Sequence, residues 1–406
     1  MMKVAYFCEP QIGGTFSFFR NIRPALGAYG IDLRCISPYS GEHLAGSRFV
    51  GAEGIDDVRF PEHDRPAASR ILIRHLQDQG YAAVVVLPGS DLIAVNLVRY
   101  LPRDIRTAAR IPMITRGAYA PTRAVARSLD RILAVSDRVA DDLVRRYGIP
   151  REKIRVVYNG VSLPDQPARR HYGQTGQPFR LLYAGRLSDL DKGVLLLPAI
   201  LQAVRAAGVD ARLTLAGTGP DAERLCEEFR RREILDVVEM KGNQAVEQVG
   251  NLLAEADCFL LPSRFEGCPN ALLEAMAAGC ACVAPRIRGS VDRIIEDGRS
   301  GLLATVADPG DFTRKVLSLS SDPARCREIG ARARQRIADS FTAGHTAAGY
   351  AQALRELPTL PDVREPVMSL GRYQIPRAML PTWRTRVPLC IKNVLRKWLE
   401  RLGISI

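Results

Sequence analysis

Residues 264 to 274 read Arg264-Phe265-Glu266-Gly267-Cys268-Pro269-Asn270-Ala271-Leu272-Leu273-Glu274, directly after Asp257-Cys258-Phe259-Leu260-Leu261-Pro262 and one serine. The upstream run is short, apolar and closed by proline, which is the pattern of a buried strand. Gly267, Pro269 and Asn270 carry turn chemistry, and the Ala/Leu/Glu/Met-rich run after them predicts a helix starting near Asn270. Glu266 then sits on the loop and Glu274 about one helical turn further in, at a rise of ~1.5 Å per residue. Both carboxylates are expected to face one cleft. An ionised carboxylate only accepts hydrogen bonds, which suits the vicinal hydroxyls of a sugar or ribose, and the free N–H groups of a helix start suit phosphate or sugar oxygens.

A second anchor lies upstream in Leu181-Leu182-Tyr183-Ala184-Gly185-Arg186-Leu187, a strand ending in Gly-Arg, with Lys192-Gly193 six residues after the arginine. Arg offers a planar fork to phosphate oxygens and Lys a mobile point charge. Together they fit a diphosphate and would stabilise charge growing on a departing nucleoside diphosphate.

The two anchors resemble the Gly-Arg…Lys and E-x7-E signatures of retaining glycosyltransferases with the GT-B fold, the large family 4 in particular. The likeness continues through Ala275-Met276-Ala277-Ala278-Gly279, Pro285, Gly289-Ser290 and Asp297-Gly298-Arg299-Ser300-Gly301-Leu302-Leu303. The resemblance implies an α/β chain of GT-B fold, with two Rossmann-like domains facing a central cleft and a C-terminal helical tail. It implies Arg186, Lys192 and Glu266 as the catalytic set. For the donor it implies Gly14 and the run Gly267, Cys268, Pro269, Asn270 and Ala271, with Glu274 on the ribose and 240–243 near the base. Gly14 closes Gln11-Ile12-Gly13-Gly14, which opens a helix after the first strand.

The layout along the chain agrees with such a fold. Short strands alternate with helical patterns, which implies parallel sheets. Strands are expected at 3–7, 32–37, 82–87, 112–115, 131–135 and 154–158, and then at 180–184, 212–216, 237–241, 258–261 and 280–284. Residues 161–178, rich in Pro, Gln, Gly and Arg, read as a linker. The expected domains are 1–160 for the acceptor, 179–357 for the nucleotide sugar, and a basic tail over 358–406.

Two motifs compete with this reading. Gly217-Thr218-Gly219-Pro220-Asp221-Ala222 satisfies a G-x-G-x-x-A dinucleotide fingerprint, with Glu239 downstream, and makes an NAD-dependent oxidoreductase the alternative enzyme. It falls on the second strand of its domain rather than the first. Asp189-Leu190-Asp191 is the D-x-D triplet that chelates metal in the other large transferase fold, and here it reads as a loop or helix-cap pair. No metal and no cofactor are expected. A non-catalytic binding protein of the same fold is the third alternative.

Charge and cysteines bound the setting. The formal charge is +13, and two segments carry it: 99–155 has 14 Lys/Arg against 6 Asp/Glu, and 358–406 has 9 against 3. Such surfaces suit an anionic membrane, a phosphorylated lipid carrier or an acidic glycan, and no nucleic-acid partner is expected. Nine cysteines, with no C-x-x-C pair, read as reduced thiols. No apolar run reaches the ~18 residues of a membrane span, so the expected location is the cytoplasm, at the inner face of the membrane if the tail binds there. In the tail, Ile391, Val394, Leu395, Trp398 and Leu402 recur at helical spacing with Lys392, Arg396, Lys397 and Arg401 between them, and Trp383 lies nearby. This basic amphipathic helix suits either an anionic membrane or the body of the protein.

One departure from the family stands in Met113-Ile114-Thr115-Arg116-Gly117, where relatives carry a histidine at the place of Arg116. An arginine is no general base at neutral pH, but it pairs with phosphate or carboxylate, so Arg116 is expected to contact the acceptor. The expected function is transfer of a hexose-type sugar from a nucleoside diphosphate sugar to a glycan or lipid-linked acceptor in bacterial envelope polysaccharide or glycolipid assembly.

Overall fold

The computed structural model describes the chain except for residues 11–13, 39–48, 50, 62, 90–91, 165–175 and 381–406. The described chain forms two compact units, residues 1–158 with the segment from 346 onward, and residues 159–345.

The first unit is built on β1 (Met2–Phe7), β2 (Ile31–Ile36), β3 (Ile55–Asp56), β4 (Ala83–Val86), β5 (Arg106–Ile111), β6 (Arg131–Ala134) and β7 (Ile154–Val156). They pair in the order β3-β2-β1-β4-β5-β6-β7, every neighbour parallel. The second unit repeats the scheme with β8 (Phe179–Ala184), β9 (Ala211–Ala216), β10 (Val238–Gly242), β11 (Cys258–Leu260), β12 (Ala281–Pro285) and β13 (Leu302–Ala304), in the order β10-β9-β8-β11-β12-β13. Both are doubly wound α/β sheets. The strand order reverses between β1 and β4 in one and between β8 and β11 in the other, the positions where such sheets bind ligands.

Central strands of a parallel sheet are covered on both faces, so they read as unbroken apolar runs. Ala83–Val86 and Ala281–Pro285 are buried throughout. The described cysteines are all free, and most are buried in these strands and in the helices behind them. No helix among the described residues is long and apolar enough to cross a membrane.

Three expectations need correcting. The strand expected at 112–115 lies earlier, as β5, because its sequence Arg-Thr-Ala-Ala-Arg-Ile hides a buried strand behind two arginines. Arg110 is nonetheless 2% exposed and stacks over the Phe18 ring at 3.8 Å. The short strands β3 and β13 were absent from the expected set, since runs of two and three residues carry no usable periodicity. The boundary expected at 357 falls at 345/346. The helix Ala343–Glu356 puts Ala347, Tyr350, Ala351 and Leu354 into the same core as Phe16, Phe18, Phe19 and Val157 of the first unit.

The segment after that helix stays with the first unit. Arg364, its side chain 4% exposed, donates to the carbonyls of Ile105 (3.0 Å) and Arg103 (2.8 Å) and pairs with Asp362 at 3.1 Å. Gln374 gives its carbonyl to Arg99 and Tyr100, and Tyr373 stacks on Tyr100 with ring centroids 5.1 Å apart. The basic amphipathic helix expected over 391–402, with both tryptophans, lies outside the described residues.

The edge strand β3 is two residues long and is held by one carboxylate. Asp56 accepts from Arg34 on β2 (2.5 Å), from Tyr81 (2.5 Å) and from His75 (3.0 Å). Burial alone would raise the Asp56 pKa, but the hydrogen bonds from His75, Tyr81 and Arg34 outweigh it and hold the carboxyl below its ordinary range. Folded Asp56 thus binds protons less readily than unfolded Asp56. Its contribution is complete above the unfolded pKa of about 3.9 and is lost as pH falls through the depressed folded value. Asp56→Asn is expected to destabilise the protein by about 2 kcal/mol at pH 7. Urea midpoints measured against pH should show a constant gap between wild type and variant down to about pH 5, closing below about pH 4; a gap that persists unchanged to pH 3 would contradict this role.

Candidate functional site

The second unit concentrates its polar groups at its switch point, where β8 and β11 end side by side. After β8 the chain turns through Gly185 and Arg186, and Tyr183, buried in the core, donates its hydroxyl to the Arg186 carbonyl at 2.7 Å. Burial pushes the Tyr183 pKa up, so that hydroxyl keeps its proton for the bond. A short helical turn, Asp189–Lys192, then closes on Gly193, whose φ of +61° is left-handed. A Cβ at Gly193 would fall 2.2 Å from the Pro262 carbonyl oxygen, so the backbone angle and the close approach both demand glycine. The result brings Lys192 against the loop that leaves β11.

That loop is fastened to the same turn. The Arg264 backbone N–H donates to the Asp191 carbonyl (2.8 Å) and its guanidinium to the Asp189 carbonyl (3.3 Å). Glu266, only 7% exposed, receives two hydrogen bonds on Oε1, from Lys192 Nζ at 2.7 Å and from Ser263 Oγ at 2.7 Å. Arg186 is 62% exposed and donates through Nη2 to Asp191 Oδ2 at 2.6 Å. Burial works against the Asp191 charge, but hydrogen bonds from Ser188 and Arg186 prevail and lower its pKa. Each of the two cations therefore has a carboxylate already in place. The sequence pointed to Arg186 and Lys192 as waiting cations; it did not point to their resting partners.

Past the loop, the helix Asn270–Ala277 buries Leu272, Leu273, Ala275, Met276 and Ala277 and leaves Asn270 and Glu274 on its open side. Pro269 takes the N-cap position and makes no side-chain cap, which leaves the first helical amides for another partner. Gly267, Cys268 and Pro269 are buried and Ala271 half-buried; Ser290 Oγ donates to the Gly267 carbonyl at 2.8 Å, and Asn159 Nδ2 to Asn270 Oδ1 at 2.8 Å. Glu274 has no side-chain partner among the described residues. Burial by the surrounding protein raises its pKa with no cation to offset it. The two glutamates of the motif thus differ, one neutralised by a lysine and one unpaired.

The competing motifs have structural employment. Gly217 has a φ of +141°, and a Cβ there would fall 1.9 Å from the Gly185 carbonyl oxygen. Its N–H donates to the Gly242 carbonyl (2.7 Å), while Asp221 N–H and Leu187 N–H cross-link the two turns through the Leu187 and Thr218 carbonyls. The glycine turn is a brace for the Gly185–Leu187 loop, and amides that a pyrophosphate would need are engaged in it. Asp189 and Asp191 do not converge: Asp189 Oδ1 takes the Leu195 N–H (3.3 Å) while Asp191 faces Arg186. Met240 is exposed within β10.

Gly14 and Arg116 lie on the first unit. Gly14 opens the helix Gly14–Gly27 after β1 and is exposed, and a Cβ there would meet nothing within 4 Å. Arg116 opens the helix Arg116–Val125, which Thr115 caps through its hydroxyl to Ala118 N–H at 3.2 Å. It is exposed, without an ion-pair partner among the described residues, at a helix end that disfavours a cation. Ser263 is the site residue that sequence reasoning missed, while Tyr183, Ser290 and Asp191 stood in quoted motifs without being given a part in the site.

The family described as Glycosyltransferase Family 4 matches residues 12–164, and that described as Glycosyl transferases group 1 matches residues 178–322. Glycogen synthase of Mycobacterium tuberculosis is 29% identical over 228 residues, 56% of this chain and 54% of its own length. The putative colanic acid biosynthesis glycosyltransferase WcaL of Salmonella typhimurium is 31% identical over 219 residues, 52% of this chain and 53% of its own. The chain thus spans about half the length of these curated relatives in the match. Among solved structures, the Anabaena protein HepE in complex with UDP superposes with a TM-score of 0.70 at 16% identity, over 88% of this chain and all of that one, a likeness of fold. Two parallel doubly wound sheets, the site at the second switch point and two family matches that together run from residue 12 to 322 place this chain among the group 1 glycosyltransferases of the GT-B fold.

Proposed function

We propose that this chain transfers a hexose-type sugar from a nucleoside diphosphate donor to an acceptor, with retention of anomeric configuration and without a metal or cofactor. The observation that carries the reading is the two ion pairs Arg186–Asp191 and Lys192–Glu266 side by side at one switch point, with the unpartnered Glu274 about one turn into the following helix. In this reading Arg186 and Lys192 take the diphosphate. Glu266 and the backbone from Gly267 to Ala271 take the sugar hydroxyls, Glu274 takes the ribose, and Gly14 gives the donor a close backbone approach. The UDP in the Anabaena neighbour supports a nucleoside diphosphate as the ligand class. The name of the Salmonella relative supports an envelope polysaccharide as the product class.

Glu266 is buried and tied to Lys192 and Ser263, a poor arrangement for a free nucleophile. Rate acceleration then comes from positioning and from charge stabilisation of the leaving diphosphate. Arg116, exposed and unpaired, is assigned to an anionic or phosphorylated acceptor, and the basic surface of 99–155 to a membrane-borne carrier at the inner face of the cytoplasmic membrane. A binding protein without turnover is the alternative reading, and nucleoside diphosphate release from a panel of nucleotide sugars separates the two. Release with none of them would end the transferase reading.

Arg186→Ala or Lys192→Ala should lower kcat by roughly 10²-fold or more, as expected for loss of a charge-stabilising group; a loss of less than threefold would remove that residue from the catalytic set. Glu274→Gln should instead raise the donor KM by about tenfold with little change in kcat, because ribose is held equally in ground and transition states. Since burial raises the Glu274 pKa, wild-type donor affinity should weaken on mild acidification, as the carboxylate gains a proton, while that of Glu274→Gln stays flat. Isothermal titration at several pH values checks both. Arg116→Ala should raise the acceptor KM by about tenfold and leave donor binding unchanged; unchanged acceptor kinetics would remove Arg116 from the acceptor site.

A further inference from the structure

Among the ionic contacts of the site, the Arg186–Asp191 pair is the one built to come apart. It is single-pronged: Arg186 uses Nη2 alone, with the rest of its guanidinium exposed, whereas a structural arginine–carboxylate pair is commonly bidentate. Asp191 Oδ1, the other carboxylate oxygen, is buried and has no hydrogen-bond partner. A buried, unsatisfied carboxylate oxygen is costly, so the resting pair leaves Asp191 half-satisfied. Its backbone is nonetheless fixed, since its carbonyl accepts Arg264 N–H at 2.8 Å from the Glu266 loop. A fixed main chain thus carries a carboxylate, also touched by Ser188, whose ion pair is with the exposed Arg186. Lys192, the next residue, is committed in the opposite direction, to Glu266.

We infer that Asp191 is a release latch: its carboxylate competes with the donor diphosphate for the Arg186 guanidinium and recaptures it when the nucleoside diphosphate product leaves. The inference rests on the donor-site reading above. Bound diphosphate draws Arg186 away, and the like charge of the displaced Asp191 carboxylate, a few residues from both cations, then limits how tightly the product is held. Asp191 acts through Arg186 and is a positioning residue.

Binding of UDP, with ADP and GDP in parallel, to wild type, Asp191→Asn, Arg186→Ala and the double variant, measured by isothermal titration, tests it. Asp191→Asn should bind the accepted diphosphate about three- to fivefold tighter, the scale of a lost partly exposed ion pair. Its KM for the matching nucleotide sugar should fall while kcat stays equal or drops, because release slows. In the Arg186→Ala background the same substitution should change affinity less than twofold. A gain of equal size in that background would overturn the latch in favour of plain charge repulsion. Equal or weaker binding by Asp191→Asn, with Arg186→Ala still impaired, would overturn the latch and leave the donor site standing. If wild type binds none of the three diphosphates and releases none from their sugars, the donor-site reading fails and the latch with it. Should Asp191→Asn fail to fold, as judged by thermal melting, Asp191→Ser reads the same cycle; loss of folded protein in both would overturn the latch and make Asp191 a structural residue.

Discussion

The 2.7 Å contact between Lys192 Nζ and Glu266 Oε1 joins two loops that leave neighbouring strands at the point where the second sheet reverses its order. Loops at such a point diverge by construction, because the helices that follow β8 and β11 pack on opposite faces. Something must hold the two first turns together across that divergence. Gly193 allows the approach, since any side chain would strike the Pro262 carbonyl, and the Arg264 amide fixes the backbone distance. The ion pair then acts on an opening of fixed width. Glu266 is buried and its charge would be costly alone, so the lysine is what permits a carboxylate there.

This constraint sets the electrostatics of everything nearby. Arg186 and Lys192 contribute two positive charges, and Asp191 and Glu266 cancel them in the resting protein. The two pairs are not equivalent. Glu266 is buried and also held by a serine hydroxyl, so its pair with the half-buried Lys192 is enclosed by the protein. Asp191 has an orphaned oxygen and an exposed arginine. The exposed arginine is therefore the cation freer to turn toward an incoming anion.

The sequence made the large features legible for a physical reason. Unbroken apolar strands alternating with helical periodicity allow few arrangements other than covered parallel sheets, and both sheets carry them. Gly185-Arg186, Lys192-Gly193 and Glu266 through Glu274 were legible because glycine, charge and spacing coincide there. What stayed hidden was neutral or doubly interpretable. Ser263 and Ser290 are ordinary residues in sequence and become specific only through the oxygens that they reach. Arg110 broke the apolar pattern of β5 because burial against Phe18 is a tertiary fact. The helix Ala343–Glu356 is continuous with the second unit in sequence and belongs to the first by packing, which no local pattern records. Gly217 and Gly219 carried a nucleotide fingerprint, but the glycines serve loop contact, since a Cβ on either would strike backbone of the Gly185–Leu187 segment.

The two glutamates of the motif end with different physical characters, and the difference follows from their distance to the lysine. Glu266 sits within its reach, is buried, and accepts two strong hydrogen bonds on one oxygen, so its second oxygen keeps a fixed direction. Glu274 sits on a helix whose remaining face is packed by Leu272, Leu273 and Met276, which fixes its backbone but gives its carboxylate nothing to bind. Desolvation by the surrounding protein raises the pKa of this carboxylate even though it stands on the open side of the helix, because no cation offsets it. Glu274 thus presents an unpaired carboxylate on the open side of its helix, whereas Glu266 carries a charge already balanced by Lys192. Within a single nine-residue segment the helix end presents an unpaired carboxylate and the loop end an oriented one, so lengthening or shortening the segment by one residue would rotate Glu274 by about 100° and separate the two.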